Sequence, residues 1–145
     1  MRINGEWYLC DDDVVRPVIR SEALNVSGFG EPVLFLVDIG ADRTVLNAAI
    51  LELLGFQPNP MLDGIGGIGG ITPSVSINTQ LRLTCLDESK ASFRGEFAAV
   101  TRLEALDISI LGRDILDMFA VIVDRRNEVV CLLGQHHHYI IIEGP

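Results

Sequence analysis

Apolar residues recur at every second position over several stretches, Val75-x-Ile77 and Leu81-x-Leu83 among them, and this is the spacing of strands that bury one face. Further strands are expected over Val14 to Leu24, over Val33 to Val37, and over Phe93 to Val100, where Gly95 interrupts the run. The turn residues Asn25-Val26-Ser27-Gly28-Phe29-Gly30 lie between the first two of these and predict a hairpin. Towards the C-terminus, Ala120 to Val123 reads as a strand, Asp124 to Asn127 as a turn, Val129 to Leu133 as the return, and Tyr139 to Ile142 as a last strand. Two short helices are predicted, one capped by Asn47 over Ala48 to Leu54 with Gly55 as its stop, the other capped by Asp114 over Ile115 to Phe119. With no linker, low-complexity tract or tandem repeat, the chain reads as one mainly β domain over residues 1–145.

A chain of 145 residues can bury roughly two-thirds of its unfolded surface in a single core. Its formal charge of -9 opposes attraction to phosphate backbones and anionic membranes, so neither nucleic acid nor a membrane is expected as a partner. Cys10, Cys85 and Cys131 are an odd number without C-x-x-C spacing, and they read as reduced thiols. The N-terminus lacks the apolar core of a secretion signal, and no apolar stretch is long enough to span a bilayer. A cytoplasmic location is expected. His136-His137-His138 does not suggest a metal site, because adjacent strand residues point to opposite faces.

Three stretches carry candidate chemistry. After Val33-Leu34-Phe35-Leu36-Val37 comes Asp38-Ile39-Gly40-Ala41-Asp42-Arg43-Thr44, which sets a carboxylate at a glycine-permitted turn at the end of a strand. Taken alone, Asp-x-Gly is an ordinary turn. The stretch Gly64-Ile65-Gly66-Gly67-Ile68-Gly69-Gly70 contains a formal G-x-G-x-x-G, yet it runs into Ile71-Thr72-Pro73-Ser74-Val75, where Pro73 and β-branched residues disfavour the helix that a dinucleotide loop opens. It reads instead as a hairpin tip. The third, Ile108-Ser109-Ile110-Leu111-Gly112-Arg113-Asp114-Ile115-Leu116, is an apolar strand passing through glycine into a helix.

In this order the three stretches resemble the signatures of the retropepsin-like aspartic peptidases: the Asp-Thr/Ser-Gly-Ala loop, the glycine-rich flap tip, and the apolar-apolar-Gly-Arg-Asn/Asp segment whose glycine lets two chain segments cross beneath the loop. The resemblance covers about Val33 to Leu116, and the longer ends suit a cellular member better than a viral one. It implies a retropepsin-like acid-protease fold with one lobe per chain: N-terminal strands in 1–32, the loop, flap and Gly-Arg-Asp segment in 33–119, and C-terminal strands in 120–145. By residue matching it implies Asp38 as the catalytic group and Ile39, Gly40, Ala41, Asp42 and Thr44 as the rest of the active-site loop. Asp42 and Arg113 would form an ion pair. Leu36, Arg43, Val45, Ile108 and Ile110, with Gly66, Gly67, Ile68 and Gly69 of the flap, would meet the substrate. Without the resemblance the apolar ones would be read as core and Arg43 as a solvated surface residue.

Hydrolysing a peptide with carboxyl groups alone takes two of them, one ionised to deprotonate water and one protonated to polarise the carbonyl. The chain offers one Asp in such a loop, since Asp63 lies in the flap and Asp114 at a helix, and it is too short for two fused lobes. The second Asp38 is therefore expected from a second copy, in a homodimer with the site on its two-fold axis. No metal or organic cofactor is expected. One departure opens a second reading. Ile39 stands where the family has Thr or Ser, whose hydroxyl braces the paired loops, so the expectation divides between an aspartic endopeptidase and a catalytically weak or inactive peptide-binding or dimerisation module.

Overall fold

The computed structural model describes residues 1–57, 59–60, 64–67, 69–134, 142 and 144. The described strands are β1 (Arg2–Asn4), β2 (Glu6–Leu9), β3 (Val15–Leu24), β4 (Gly30–Val37), β5 (Val45–Leu46), β6 (Asn59–Pro60), β7 (Ile65–Gly67), β8 (Gly70–Thr72), β9 (Ser74–Thr84), β10 (Lys90–Val100), β11 (Ser109–Leu111), β12 (Ala120–Asp124) and β13 (Val129–Leu133). Two α-helices, α1 (Ala48–Leu54) and α2 (Arg113–Leu116), and one 3-10 turn at Leu103–Ala105 complete the described elements. Helix α1 starts and stops as expected: the Asn47 side chain accepts from the Ile50 N–H, and Gly55 takes the left-handed conformation that ends it.

The main sheet runs in the order β2-β3-β4-β11-β5-β10-β9-β6, and a further pairing of β3 with β9 closes it into a barrel-like ring. The chain is therefore mainly β with few helices, the fold class expected from its alternating pattern. Period-two alternation sorts the side chains between two faces. Phe35 and Val37 on β4, Leu46 on β5 and Leu111 on β11 enter the principal core with Ile19, Leu81 and Leu83. The alternate positions form a row across three strands, with Leu36 opposite Ile110 and Ile110 opposite Val45. Val45 joins Ala98, Val100 and the half-buried Ile65, Leu106 and Ile110 in a second, smaller cluster on that face.

A separate sheet, β1-β13-β12, brings the two ends of the described chain together. Its hairpin β12–β13 follows the expected strands and turn, while β1 and β2 escaped the sequence reading because each is too short to show an alternating pattern. Trp7 donates from its indole to the Asp124 carbonyl at 3.1 Å and carries Arg125 over its ring, tying β2 to the β12–β13 turn. Two other expectations change. Gly95 does not interrupt β10, which runs unbroken opposite β9. Asp114 is not the cap of α2; Gly112 holds that position, and Asp114 lies inside the first turn with its carboxylate engaged elsewhere. The proposed last strand at Tyr139 to Ile142 and the histidines 136–138 fall outside the described residues, apart from Ile142 itself.

Candidate active site

Strand β4 ends at Val37, and the next residue, Asp38, begins the turn that leads to β5. Its N–H donates to the Leu111 carbonyl at 3.1 Å, which anchors the loop to β11. Its Oδ1 accepts from the Gly40 N–H at 2.9 Å and its carbonyl from the Ala41 N–H at 3.2 Å, so the carboxylate is held by the turn that follows it. Asp38 is half-buried, whereas the next side chain, Ile39, is 68% exposed.

Beneath the loop, the residues after β11 cross it at close range. A Cβ on Gly112 would overlap the Arg43 carbonyl, so only glycine permits the crossing. Around this point the loop is braced mainly by Asp114. Its carboxylate accepts from the Thr44 N–H at 2.9 and 3.0 Å, from the Thr44 hydroxyl at 2.7 Å and from the Ile115 N–H at 3.0 Å. Thr44 is fully buried and its Oγ1 also accepts from the Gly112 N–H at 3.1 Å. Backbone bonds reinforce the crossing, Arg113 N–H to the Ala41 carbonyl at 2.8 Å and Asp114 N–H to the Asp42 carbonyl at 3.3 Å. Arg113 donates to the Asp42 carboxylate as the matching implied, but the two side chains are 50% and 79% exposed. The guanidinium is held more firmly protonated by that hydrogen bond and by the charge of Asp42. An exposed pair of this kind contributes little to stability.

The glycine-rich stretch is a hairpin, with β7 and β8 paired antiparallel from Ile65 opposite Thr72 to Gly67 opposite Gly70. Ile68 lies outside the described residues. Between this hairpin and the loop is a cavity of about 580 Å³, lined on one side by Asp38, Ala41, Asp42, Arg43, Val45 and Ile110 and on the other by Gly64 to Gly67. A second cavity of about 340 Å³ extends along the hairpin past Gly69 to Val45, Val100, Leu106 and Ile110. Leu36 and Ile108 do not reach the Asp38 cavity; they line a third, of about 520 Å³, which shares Ile110 with the other two. Ile65, Val100 and Leu106 were not singled out from sequence, because their only signal was the apolar character common to any core residue. Asp114 was singled out for the wrong task.

The family model of the retroviral aspartyl protease matches residues 16–123, three-quarters of the chain and all of the loop, hairpin and crossing just described. The chain belongs to the retroviral aspartyl protease family. Among solved structures it is similar to the protease of EIAV complexed with the inhibitor HBY-793, at 26% identity over 70% of this chain and 86% of that one, with a TM-score of 0.53. It is also similar in fold to a retropepsin-like aspartic protease from Rickettsia conorii, at 19% identity over 91% of this chain and 90% of that one, with a TM-score of 0.56. No curated protein sequence matches it. Among the described residues no helix is long and apolar enough to cross a membrane, and no cluster of His, Cys, Asp or Glu has the makings of a metal site.

Proposed function

We propose that this retroviral-type aspartyl protease is an endopeptidase that works as a homodimer, with the two Asp38 carboxyls facing each other across the two-fold axis. The observation that carries the reading is the half-buried Asp38, held by its own turn at the end of β4 and opening into a cavity roofed by the glycine hairpin. One lobe supplies one such carboxyl. Two carboxyls that close cannot both be ionised, so the pair shares a proton. The ionised member takes a proton from water as its oxygen attacks the peptide carbonyl carbon, and the protonated member donates to the carbonyl oxygen. The tetrahedral intermediate then loses the amine as the C–N bond breaks, the nitrogen taking up a proton and the dyad returning to its starting state.

Hairpin β7–β8 acts as the flap in this reading, its glycines allowing close approach of an extended peptide that pairs through its main chain. Val45 and Ile110 line the space beside Asp38, and Arg43 contributes a positive charge there. Leu36 and Ile108 meet substrate further along, and Gly66, Gly67 and Gly69 meet it from the flap. A second reading, a dimeric peptide-binding module with weak or no turnover, is favoured by one feature, the Ile39 side chain that has no hydroxyl with which to brace the paired loops. Peptide-library cleavage decides between them. Asp38→Asn is expected to abolish cleavage while sedimentation and circular dichroism stay unchanged; a wild type that binds peptides without cutting them selects the module, and a fully active monomer refutes the dyad.

A further inference from the structure

The cavity of about 520 Å³ has a polarity that hydrolysis does not use. Leu34, Leu36 and Ile108 give it an apolar floor, and Asp11, Asp12, Asp107 and Arg16 are the charged groups that line it. Arg16 is already committed: its two terminal nitrogens donate to the two oxygens of Asp12 at 2.7 and 2.6 Å. That pair is neutral as a unit. Two carboxylates remain, both exposed, and neither Asp11 nor Asp107 has an ion-pair partner among the described residues.

Both are carried by tied-down backbone. The Asp107 carbonyl accepts from the Asn47 side-chain amide at 3.2 Å, and the Asn47 N–H donates to the Ser109 hydroxyl at 3.0 Å, so this segment is fixed to the start of α1. Asp11 sits on the turn between β2 and β3, closed by hydrogen bonds from Cys10 to Val14 and from Asp13 to Cys10, both 3.0 Å. An apolar floor beneath two unneutralised carboxylates complements a side chain that is apolar along its stem and cationic at its end. An acidic side chain would meet like charge there.

We propose that this cavity takes a Lys or Arg side chain of the peptide substrate, its stem on Leu36 and Ile108 and its cation facing Asp11 and Asp107. The proposal rests on the peptidase reading, through Ile110, which joins this cavity to the one at Asp38. Asp11 and Asp107 are then the residues that set specificity, and the preference weakens with salt because both are exposed.

The test is direct binding to the Asp38→Asn protein of apolar octapeptides in which each position in turn carries Lys, norleucine or Glu. At one position Lys is expected to bind about tenfold tighter than norleucine, with Asp11→Asn and Asp107→Asn each removing about threefold to fivefold of that preference and high salt reducing it. Equal binding of Lys and norleucine, tighter binding of Glu, selectivity that survives the double variant, or no binding at all overturns the proposal. The same peptides are given to the wild type. Lys-selective binding without cleavage refutes the peptidase and keeps the pocket, while cleavage indifferent to Lys refutes the pocket and keeps the peptidase.

Discussion

Arg113 and Asp114 are neighbours in sequence, and the structure assigns them opposite energetic weights. Truncating Asp114 to Ala removes the acceptor for the Thr44 N–H and the Thr44 hydroxyl, on a residue that is fully buried. Each buried donor left unpaired costs about 1–3 kcal/mol, and the hydroxyl can recover part of that by turning. The Ile115 N–H is not counted, because it also donates to the Gly112 carbonyl at 3.1 Å. Asp114 is itself exposed, so water can replace part of its carboxylate, and the expected loss is about 1–3 kcal/mol, still a sizeable part of the ~5–15 kcal/mol by which a domain is stable. Asp114→Asn keeps one acceptor oxygen and loses about 1–2 kcal/mol of charge-assisted bonding. Arg113→Ala breaks only an exposed pair and is expected to move stability little. Urea denaturation measures all three, comparing midpoints at unchanged slope. If Arg113→Ala destabilises as much as Asp114→Ala, the assignment of the brace to Asp114 is wrong.

The exposed Ile39 side chain is expected to pack against its counterpart across the two-fold axis, where full burial is worth roughly 1.5–3 kcal/mol per side chain. Ile39→Thr should therefore weaken the dimer in sedimentation equilibrium and slow cleavage, and a tighter, faster variant would mean that the missing hydroxyl is the limiting defect. The Arg16 hydrogen bond holds the Asp12 carboxyl below its ordinary 3.8, at about 2, so the pair's contribution to stability is present above the ordinary value and disappears as pH falls towards 2. Asp12→Asn should accordingly lower the thermal midpoint at neutral pH, with the gap to wild type closing by about pH 2; a gap that persists there contradicts the pairing.

Local pattern was enough for much of this protein. Alternation announced β9, because a strand with one wet face writes its burial into every second residue, and apolar or β-rich runs bounded by turn residues announced β3, β4, β12 and β13. Asn47 and Gly55 marked α1 because a helix end needs an acceptor at its start and a left-handed residue at its stop. The turn at Asp38 and the glycine hairpin were legible because each depends on a few residues close in sequence, whereas the crossing of Gly112 with Arg43 was expected only through the family resemblance. What only the tertiary structure decided depends on contacts far apart in the chain. Local rules alone would make Asp114 a helix cap, yet Thr44, 70 residues earlier, brings it two buried donors, and a carboxylate goes to the donors that water cannot reach. The resemblance groups Leu36 and Ile108 with Val45 and Ile110 as substrate contacts, but Leu36, at one end of the row through Ile110 to Val45, lines a neighbouring cavity together with Ile108. There the β2–β3 turn and the segment before β11 bring Asp11 and Asp107 to one cavity, an encounter that sequence spacing cannot encode because it is made by the parallel pairing of β11 with β4, beside β3 and β2.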